Sequence, residues 1–395
     1  MFALRAFKKA YGTEISTCNT KLSFMNRFKN TIVHNTGEES IITNQDWHTG
    51  KQYNILKNHT ISVIGYGSQG RAQALNHRDE GRNIIVGVRK EGNSWKRALK
   101  DGFVKDRNLF PIDEAVSRGT IIKYLLSDTA QISEWPQVKD NLFTNDTLYF
   151  SHGFGMHYHN HTHINPPEDI DIIMVSPKCS GDTVRKNFRN ERGFVSSYAI
   201  YRDYTNTAFE TCMALAFSMG NNYVFETTFE NETVSDLTGE RCILMGMIQA
   251  AFSAQYNVLR KNGHSPLEAY HETVYEALNS LYPLINTNGM DWMYKNCSPT
   301  AQRGALDWSK RFEGKLEDMV EECYTSVKNE EEVKRVIEKK SSRNELEKEL
   351  QAIVEQEVWK VHRQVNDLKK DSISTENVFV PYRGIGYVSR VISNH

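Results

Sequence analysis

A chain of 395 residues is long enough for two domains, each burying its own core. Its 48 basic and 49 acidic residues leave a formal net charge of −1, so the composition carries no electrostatic footprint for nucleic acid or an anionic membrane. The 6 cysteines are scattered without CxxC spacing, which argues against a disulfide scaffold or a zinc knuckle, and no apolar run approaches the roughly 18 to 20 residues that span a bilayer. Small-molecule chemistry by a soluble protein in a reducing compartment is the expectation.

Residues 1–37 set Arg5, Lys8, Lys9, Lys21, Arg27 and Lys29 against the single acid Glu14. That is the composition of a mitochondrial or plastid transit peptide, and a secretory signal would need a continuous apolar core. Strand signals then alternate with helix-length segments: Thr60–Ile64, a helix from Gln69 to His77, Ile84–Val88, Ile121–Leu126, Thr147–Phe150 and Ile172–Val175. The alternation predicts an α/β fold, a doubly wound Rossmann-type parallel sheet over residues 38–226.

Beyond residue 226 the strand signals stop. Asp236 to Tyr256 is apolar on nearly every face (Leu237, Ile243, Leu244, Met245, Met247, Ile248, Phe252), which predicts a helix buried on all sides in an all-α domain, 227–370. Ser265-Pro266-Leu267-Glu268 is a capping box with proline at the first helical position. Asn344–Lys370 reads as one charged amphipathic helix, and residues 371–395 form a tail of mixed composition.

Gly65-Tyr66-Gly67-Ser68-Gln69-Gly70 lies between a strand and a helix, as a dinucleotide fold requires. Glycines there allow a tight turn and let backbone N–H groups approach a pyrophosphate at the helix N-terminus. The second strand ends in Val88-Arg89-Lys90, with Ser94 following, instead of the acid that grips a ribose diol. Those residues suit a 2′-phosphate, so NADPH is expected over NADH.

Asp236 and Glu240 share a helix face at i,i+4 spacing and repel one another, which asks for a divalent cation. The plainer reading of Asp236 is an N-cap, and it leaves Glu240 unexplained. Glu272 and Glu276 form a second such pair, although the apolar stripe of their helix (Leu267, Tyr270, Val274, Leu278, Leu281) puts both on the solvated side. His157, His159, His161 and His163 alternate as ligands on a strand would, but in a loop they read as polar surface.

Taken in order, the glycine motif, Gly87-Val-Arg-Lys90, Ser151-His-Gly-Phe154, Ser176-Pro-Lys178, Ser235-Asp-Leu-Thr-Gly-Glu240, Glu272-Thr-Val-Tyr-Glu276 and Cys297-Ser298 form a pattern. Over about Asp46 to Lys370 the chain resembles the ketol-acid reductoisomerase (acetohydroxy acid isomeroreductase) family, in its short mitochondrial fungal form. The resemblance implies a knotted helical domain, NADPH, two Mg²⁺ ions, and 2-acetolactate or 2-aceto-2-hydroxybutyrate as substrates. It implies metal binding by Asp236, Glu240, Glu272 and Glu276, a substrate-carboxylate contact from Ser298, a lysine at Lys178 that ties the metal ligands together, and His152 beside the nicotinamide. Glu276 or a metal-bound hydroxide would be the base. The mitochondrial matrix is the implied location. Thr238, Cys179 and Cys242 depart from the family's usual residues, each beside a functional position.

A metal-free β-hydroxy acid dehydrogenase would leave both acidic pairs unexplained, and a silent nucleotide-binding protein would not need them. If Asp236 to about Lys261 is one straight helix, the two pairs lie about 15 positions apart along an antiparallel hairpin, roughly 20 Å at 1.5 Å per residue. Paired catalytic metals sit about 3.5 to 4 Å apart. The expectation is a homodimer or higher oligomer whose site takes one pair from each subunit, with a break near Gly246 as the only way round it.

Overall fold

The structure, a computed structural model, describes residues 30–34, 37–47, 51–338 and 343–373. The expected transit peptide falls largely, and the C-terminal tail almost wholly, outside the described residues. Ten strands form one sheet: β1 (Asn30–His34), β2 (Gly37–Thr43), β3 (Thr60–Ile64), β4 (Asn83–Gly87), β5 (Leu109–Phe110), β6 (Ile121–Tyr124), β7 (Thr147–Phe150), β8 (Asp171–Pro177), β9 (Phe194–Arg202) and β10 (Asn221–Glu226). Their order is β1-β2-β10-β9-β8-β7-β6-β3-β4-β5.

All five expected strands and the helix Ser68–Asp79 are present. From β8 through β7, β6, β3 and β4 to β5 every pairing is parallel, with Ile61 opposite Ile84 on one side and Ile121 on the other. The expected Rossmann-type parallel core is thus present, and antiparallel pairings extend it into a larger mixed sheet: β9 runs antiparallel to β8, and β2 antiparallel to β10. Strands β9 and β10 carry no clean apolar run because polar residues are buried in them. Ser196 Oγ donates to Asn221 Oδ1 at 2.6 Å, and Asn221 Nδ2 donates to the Ala216 carbonyl at 2.7 Å, so these groups are hydrogen-bonded internally.

Period-2 alternation builds a core on each face. Ile61, Val63, Val86, Ile121, Tyr149, Ile173 and Val175 share one core with the helices Ser68–Asp79 and Ala208–Ser218, while Ile64, Ile85, Ile122, Leu148, Phe150, Ile172 and Met174 fill the other side. Strand β3 ends between β4 and β6, where the strand order reverses, and that crevice is where open α/β sheets bind ligands.

The chain forms two compact units, residues 1–240 with 320–340, and residues 241–319 with 341–395. The helix Phe229–Gly239 therefore belongs with the sheet, where Val234 and Leu237 pack with Phe154, Tyr158, Val327 and Val333. Its N-cap is Thr228, so Asp236 lies inside the helix and the N-cap reading fails.

The single buried helix expected from Asp236 to Tyr256 is also overturned. The helical run breaks over Glu240–Leu244, where Cys242 has φ −92° and ψ −118°, and resumes at Gly246–Lys261. A Cβ on Gly246 would lie 2.1 Å from the Arg241 carbonyl oxygen, so the break needs glycine there. Ile243, Leu244 and Met245 are 61, 63 and 64% exposed, which the apolar pattern alone could not show. By length and composition Phe229–Lys261 is apolar enough to cross a membrane, but the break leaves pieces of 11 and 16 residues. The straight-hairpin distance argument loses its premise as well.

In the second unit Phe252, Tyr256, Ala269, Tyr270, Val274, Val358, Val361 and Val365 make the core. Ser265 and Glu268 form the expected capping box. The helix expected over 344–370 is two, Arg343–Glu355 and Glu357–Ile373, and Gln356 between them accepts a hydrogen bond from Ser253 at 3.3 Å.

One core residue of the sheet is a lysine. Lys123 on β6 is fully buried, shares a hydrogen bond with His77 Nε2 at 2.8 Å, and stands 4.0 Å from the centre of the Tyr149 ring. Burial pushes its pKa well below 10.5. The unfolded chain then binds the proton more readily, so this residue's contribution to stability rises with pH up to the ordinary lysine range. Lys123→Met lacks that slope. Its urea midpoint relative to wild type is expected to be highest near pH 7 and to fall as pH approaches about 9.5; a constant difference would show that Lys123 is not held neutral.

Candidate active site

The glycine motif divides into structural and open positions. Gly65 has φ +99°, and a Cβ on it would lie 2.6 Å from the Leu125 carbonyl oxygen; a Cβ on Gly70 would lie 2.1 Å from the Gly65 oxygen. Gly67 faces open space, and as the N-cap of Ser68–Asp79 it supplies no side chain, which leaves the helix N-terminus accessible to an anion. Two of the motif's side chains turn inward, Tyr66 donating to Asp101 Oδ2 at 3.0 Å beside the Arg71–Asp101 ion pair and Gln69 donating to the Cys179 carbonyl at 2.9 Å, while Ser68 is exposed. Arg89 and Lys90 follow β4 as exposed residues, and half-buried Ser94 opens the next helix, Asn93–Lys100.

The centre of the site is a residue that the sequence reading passed over. Glu232, one turn before Asp236, has a fully buried carboxylate. Its Oε1 accepts from Ser176 Oγ at 2.6 Å and Lys178 Nζ at 3.3 Å, and its Oε2 accepts from the Gly153 backbone N–H at 2.8 Å and His152 Nδ1 at 3.1 Å. These four donors match the roughly four lone-pair sites of a carboxylate. Glu232 extends the acidic stripe backward at the same spacing, Glu232, Asp236, Glu240, and that extension was the available signal.

Asp236 shares the helix face, its Oδ2 3.4 Å from His152 Nδ1 and its side chain 32% exposed. His152, Glu232 and Asp236 place ligand atoms within 4.8 Å of one another, the only such His/Cys/Asp/Glu group among the described residues. Chemistry separates the three: Glu232 has its lone pairs committed, whereas Asp236 presents a carboxylate to solvent, so Asp236 is the candidate metal ligand. Glu240 is exposed one turn further along, at the start of the helix break.

Burial alone would lower the His152 pKa, but its hydrogen bond to Glu232 and the charges of Glu232, Asp128 and Asp236 push it up to about 9. Burial would raise the Glu232 pKa, yet His152, Lys178 and Ser176 hold it at about 2. The site is an ion pair at neutral pH.

The remaining expected residues belong to the second unit. Glu272 and Glu276 are exposed, on and beside the wide helical turns His271–Tyr275 and Ala277–Leu281, a geometry frequent at functional sites. Ser298 is exposed and its Oγ accepts from the Ala301 N–H at 3.3 Å, capping the helix Pro299–Lys328. The alternating histidines do not lie on a strand: they occupy the short helices Phe154–His157 and His159–Thr162, His161 pairs with Glu330 at 2.7 Å, and His163 is left-handed at φ +57°.

Two family profiles match in succession, "Acetohydroxy acid isomeroreductase, NADPH-binding domain" over residues 55–224 and "Ketol-acid reductoisomerase, C-terminal domain" over residues 229–370. The chain belongs to the ketol-acid reductoisomerase family. The mitochondrial ketol-acid reductoisomerase of Saccharomyces cerevisiae is 50% identical over 337 residues, 85% of each chain. A ketol-acid reductoisomerase (NAD(+)) of Desulfosudis oleivorans is 48% identical over 338 residues, 85% of this chain and 96% of that one. Among solved structures, an NADH-preferring ketol-acid reductoisomerase from an uncultured archaeon superposes with a TM-score of 0.77 at 31% identity, covering 83% of this chain and 98% of the other.

The linked titrations give a pH window. Glu232 has a depressed pKa, so its stabilisation is present above 4.5 and is lost as pH falls through about 2. His152 has a raised pKa, so its stabilisation is present below 6.5 and is lost as pH rises through about 9. In Glu232→Gln, measured by imidazole NMR on chelator-treated protein, His152 is expected to titrate well below the wild-type value. An unchanged titration would assign its charge to Asp236 and Asp128 instead.

Proposed function

We propose that this chain rearranges 2-acetolactate or 2-aceto-2-hydroxybutyrate by alkyl migration between adjacent carbons. It then reduces the resulting 2-keto acid with NADPH to the 2,3-dihydroxy acid, a step of branched-chain amino acid synthesis. The observation that carries this reading is the Glu232 cage, in which His152 and Lys178 bond one buried carboxylate beside the partly exposed Asp236, in the same unit as the open glycine loop.

Hard carboxylate oxygens suit Mg²⁺, and Asp236, Glu240, Glu272 and Glu276 are the residues that would hold two such ions. When bound, the metals supply Lewis acidity toward the ketone and hydroxyl oxygens of the substrate. The chain's own groups do the rest. Ser298 would hydrogen-bond the substrate carboxylate, Glu276 would hold the proton released from the hydroxyl, and His152 would lie against the nicotinamide. Lys178 and His152 fix Glu232, and through the helix Phe229–Gly239 that carboxylate fixes Asp236.

Arg89, Lys90 and Ser94 favour a 2′-phosphate, although relatives named for both nicotinamide cofactors exist. Purified protein should oxidise NADPH only when 2-acetolactate and Mg²⁺ are both present. Turnover without divalent metal would select the β-hydroxy acid dehydrogenase reading. Replacing Arg89 and Lys90 with neutral residues is expected to raise KM for NADPH more than for NADH, and equal effects would show that they do not read the phosphate. The basic residues before position 30 and the name of the yeast relative support import into the mitochondrial matrix.

A homodimer with a shared site is part of the same reading. With the hairpin argument removed, its support is the surface of the second unit, where Leu306, Trp308, Phe312 and Met319 are exposed along one helix together with Ile243, Leu244 and Met245. Exposed apolar surface on this scale marks an interaction site. Mixing inactive Asp236→Asn and Glu276→Gln subunits should restore activity by creating one intact site per heterodimer. No recovery after proven subunit exchange would refute sharing.

A further inference from the structure

The helix that follows the glycine loop carries two glutamines one turn apart, and both are bonded away from the nucleotide. Gln69 Nε2 donates to the carbonyl of Cys179, the residue directly after Lys178. Gln73 is fully buried; its Nε2 donates to Ser151 Oγ at 2.8 Å and to Gln69 Oε1 at 3.1 Å, and its Oε1 accepts from Tyr149 OH at 3.1 Å. Ser151 is the residue directly before His152, and its Oγ donates to Tyr149 OH at 3.3 Å. Gly181 closes the same contact: a Cβ on it would lie 2.3 Å from the Ser68 backbone, so the chain after Lys178 packs directly on the start of this helix.

The two segments held by this ladder are the two that grip Glu232, through His152 and Lys178. A glutamine amide has donors and an acceptor, so Gln73 can bond a hydroxyl, a phenol and a second amide at once, and no apolar residue of its size can. A fully satisfied buried network of this kind fixes one arrangement of its members. From these contacts we infer that Gln73, with Gln69 and Ser151, is a positioning residue: it sets His152 and Lys178 against the helix on which the nucleotide seats, so that nucleotide occupancy is transmitted to the Glu232 cage. None of the three needs to touch the reacting atoms.

The inference rests on the proposed reaction for its kinetic test, and a second measurement needs no substrate. Gln73→Met keeps volume and removes every hydrogen bond. It is expected to lower kcat about tenfold, with the NADPH Kd within about twofold of wild type. Ser151→Ala should match it, Ser151→Thr should retain most of the rate, and the double variant Gln73→Met/Ser151→Ala should be no slower than the slower single variant, because both cut the same link. Independently, adenosine 2′,5′-bisphosphate, which seats on the glycine loop but carries no nicotinamide to touch His152, should shift the His152 imidazole resonance in wild type and fail to do so in Gln73→Met. Wild-type kcat in Gln73→Met, or additive losses with a parallel loss of NADPH affinity, overturns the inference. If wild type does not turn over 2-acetolactate, the assigned reaction fails while the resonance measurement still decides the ladder: a shift that persists in Gln73→Met overturns it.

Discussion

The site depends on one buried negative charge. Moving an isolated carboxylate out of water is so unfavourable that it would ordinarily protonate, and a buried pair broken on one side costs about 3 to 5 kcal/mol. Glu232 stays ionised because four donors from two separate segments meet it: His152 and the Gly153 N–H after β7, Ser176 and Lys178 at the end of β8. Both segments leave the C-terminal ends of neighbouring parallel strands, so one carboxylate on the helix Phe229–Gly239 is reached by both. The demand of that charge for donors is what gathers strand ends into a site.

The sheet was legible because its parallel strands are short, apolar and bounded by turn residues, and the glycine motif was legible because its glycines answer steric demands that only glycine meets. The site was half legible. Asp236 and Glu240 stood out as an i,i+4 pair, and Lys178 and His152 came from the family resemblance. Glu232 did not, since a single glutamate in the run Glu230-Asn-Glu232 looks like a helix-start acid and nothing local marks it as buried. What makes it central is four contacts with residues 54 to 80 positions away, and no window along the chain contains them.

The error at residues 236–256 has a different cause. Periodicity reports which residues are apolar, not whether they meet protein, and Ile243, Leu244 and Met245 satisfy a buried-helix pattern while standing exposed at a break. The break also has a use in the fold. It ends the helix that carries the acidic stripe just after Glu240 and lets the chain begin a second unit with its own core around Tyr256 and Tyr270.

The departures from the family's usual residues can now be judged by what each position contributes. Cys179 takes part in the site through its carbonyl oxygen, which accepts from Gln69, and every residue type supplies that atom. Its thiol is half-buried and burial raises its pKa, so it brings no reactive thiolate next to Lys178. Thr238 donates to the Val234 carbonyl one turn back and so satisfies its own hydroxyl within the helix. Cys242 sits buried in the break, where the demand is on backbone angles and the side chain has only to be small. At each of the three positions the structure draws on the residue's backbone or on a hydroxyl satisfied within its own helix, and none of the three side chains bonds Glu232.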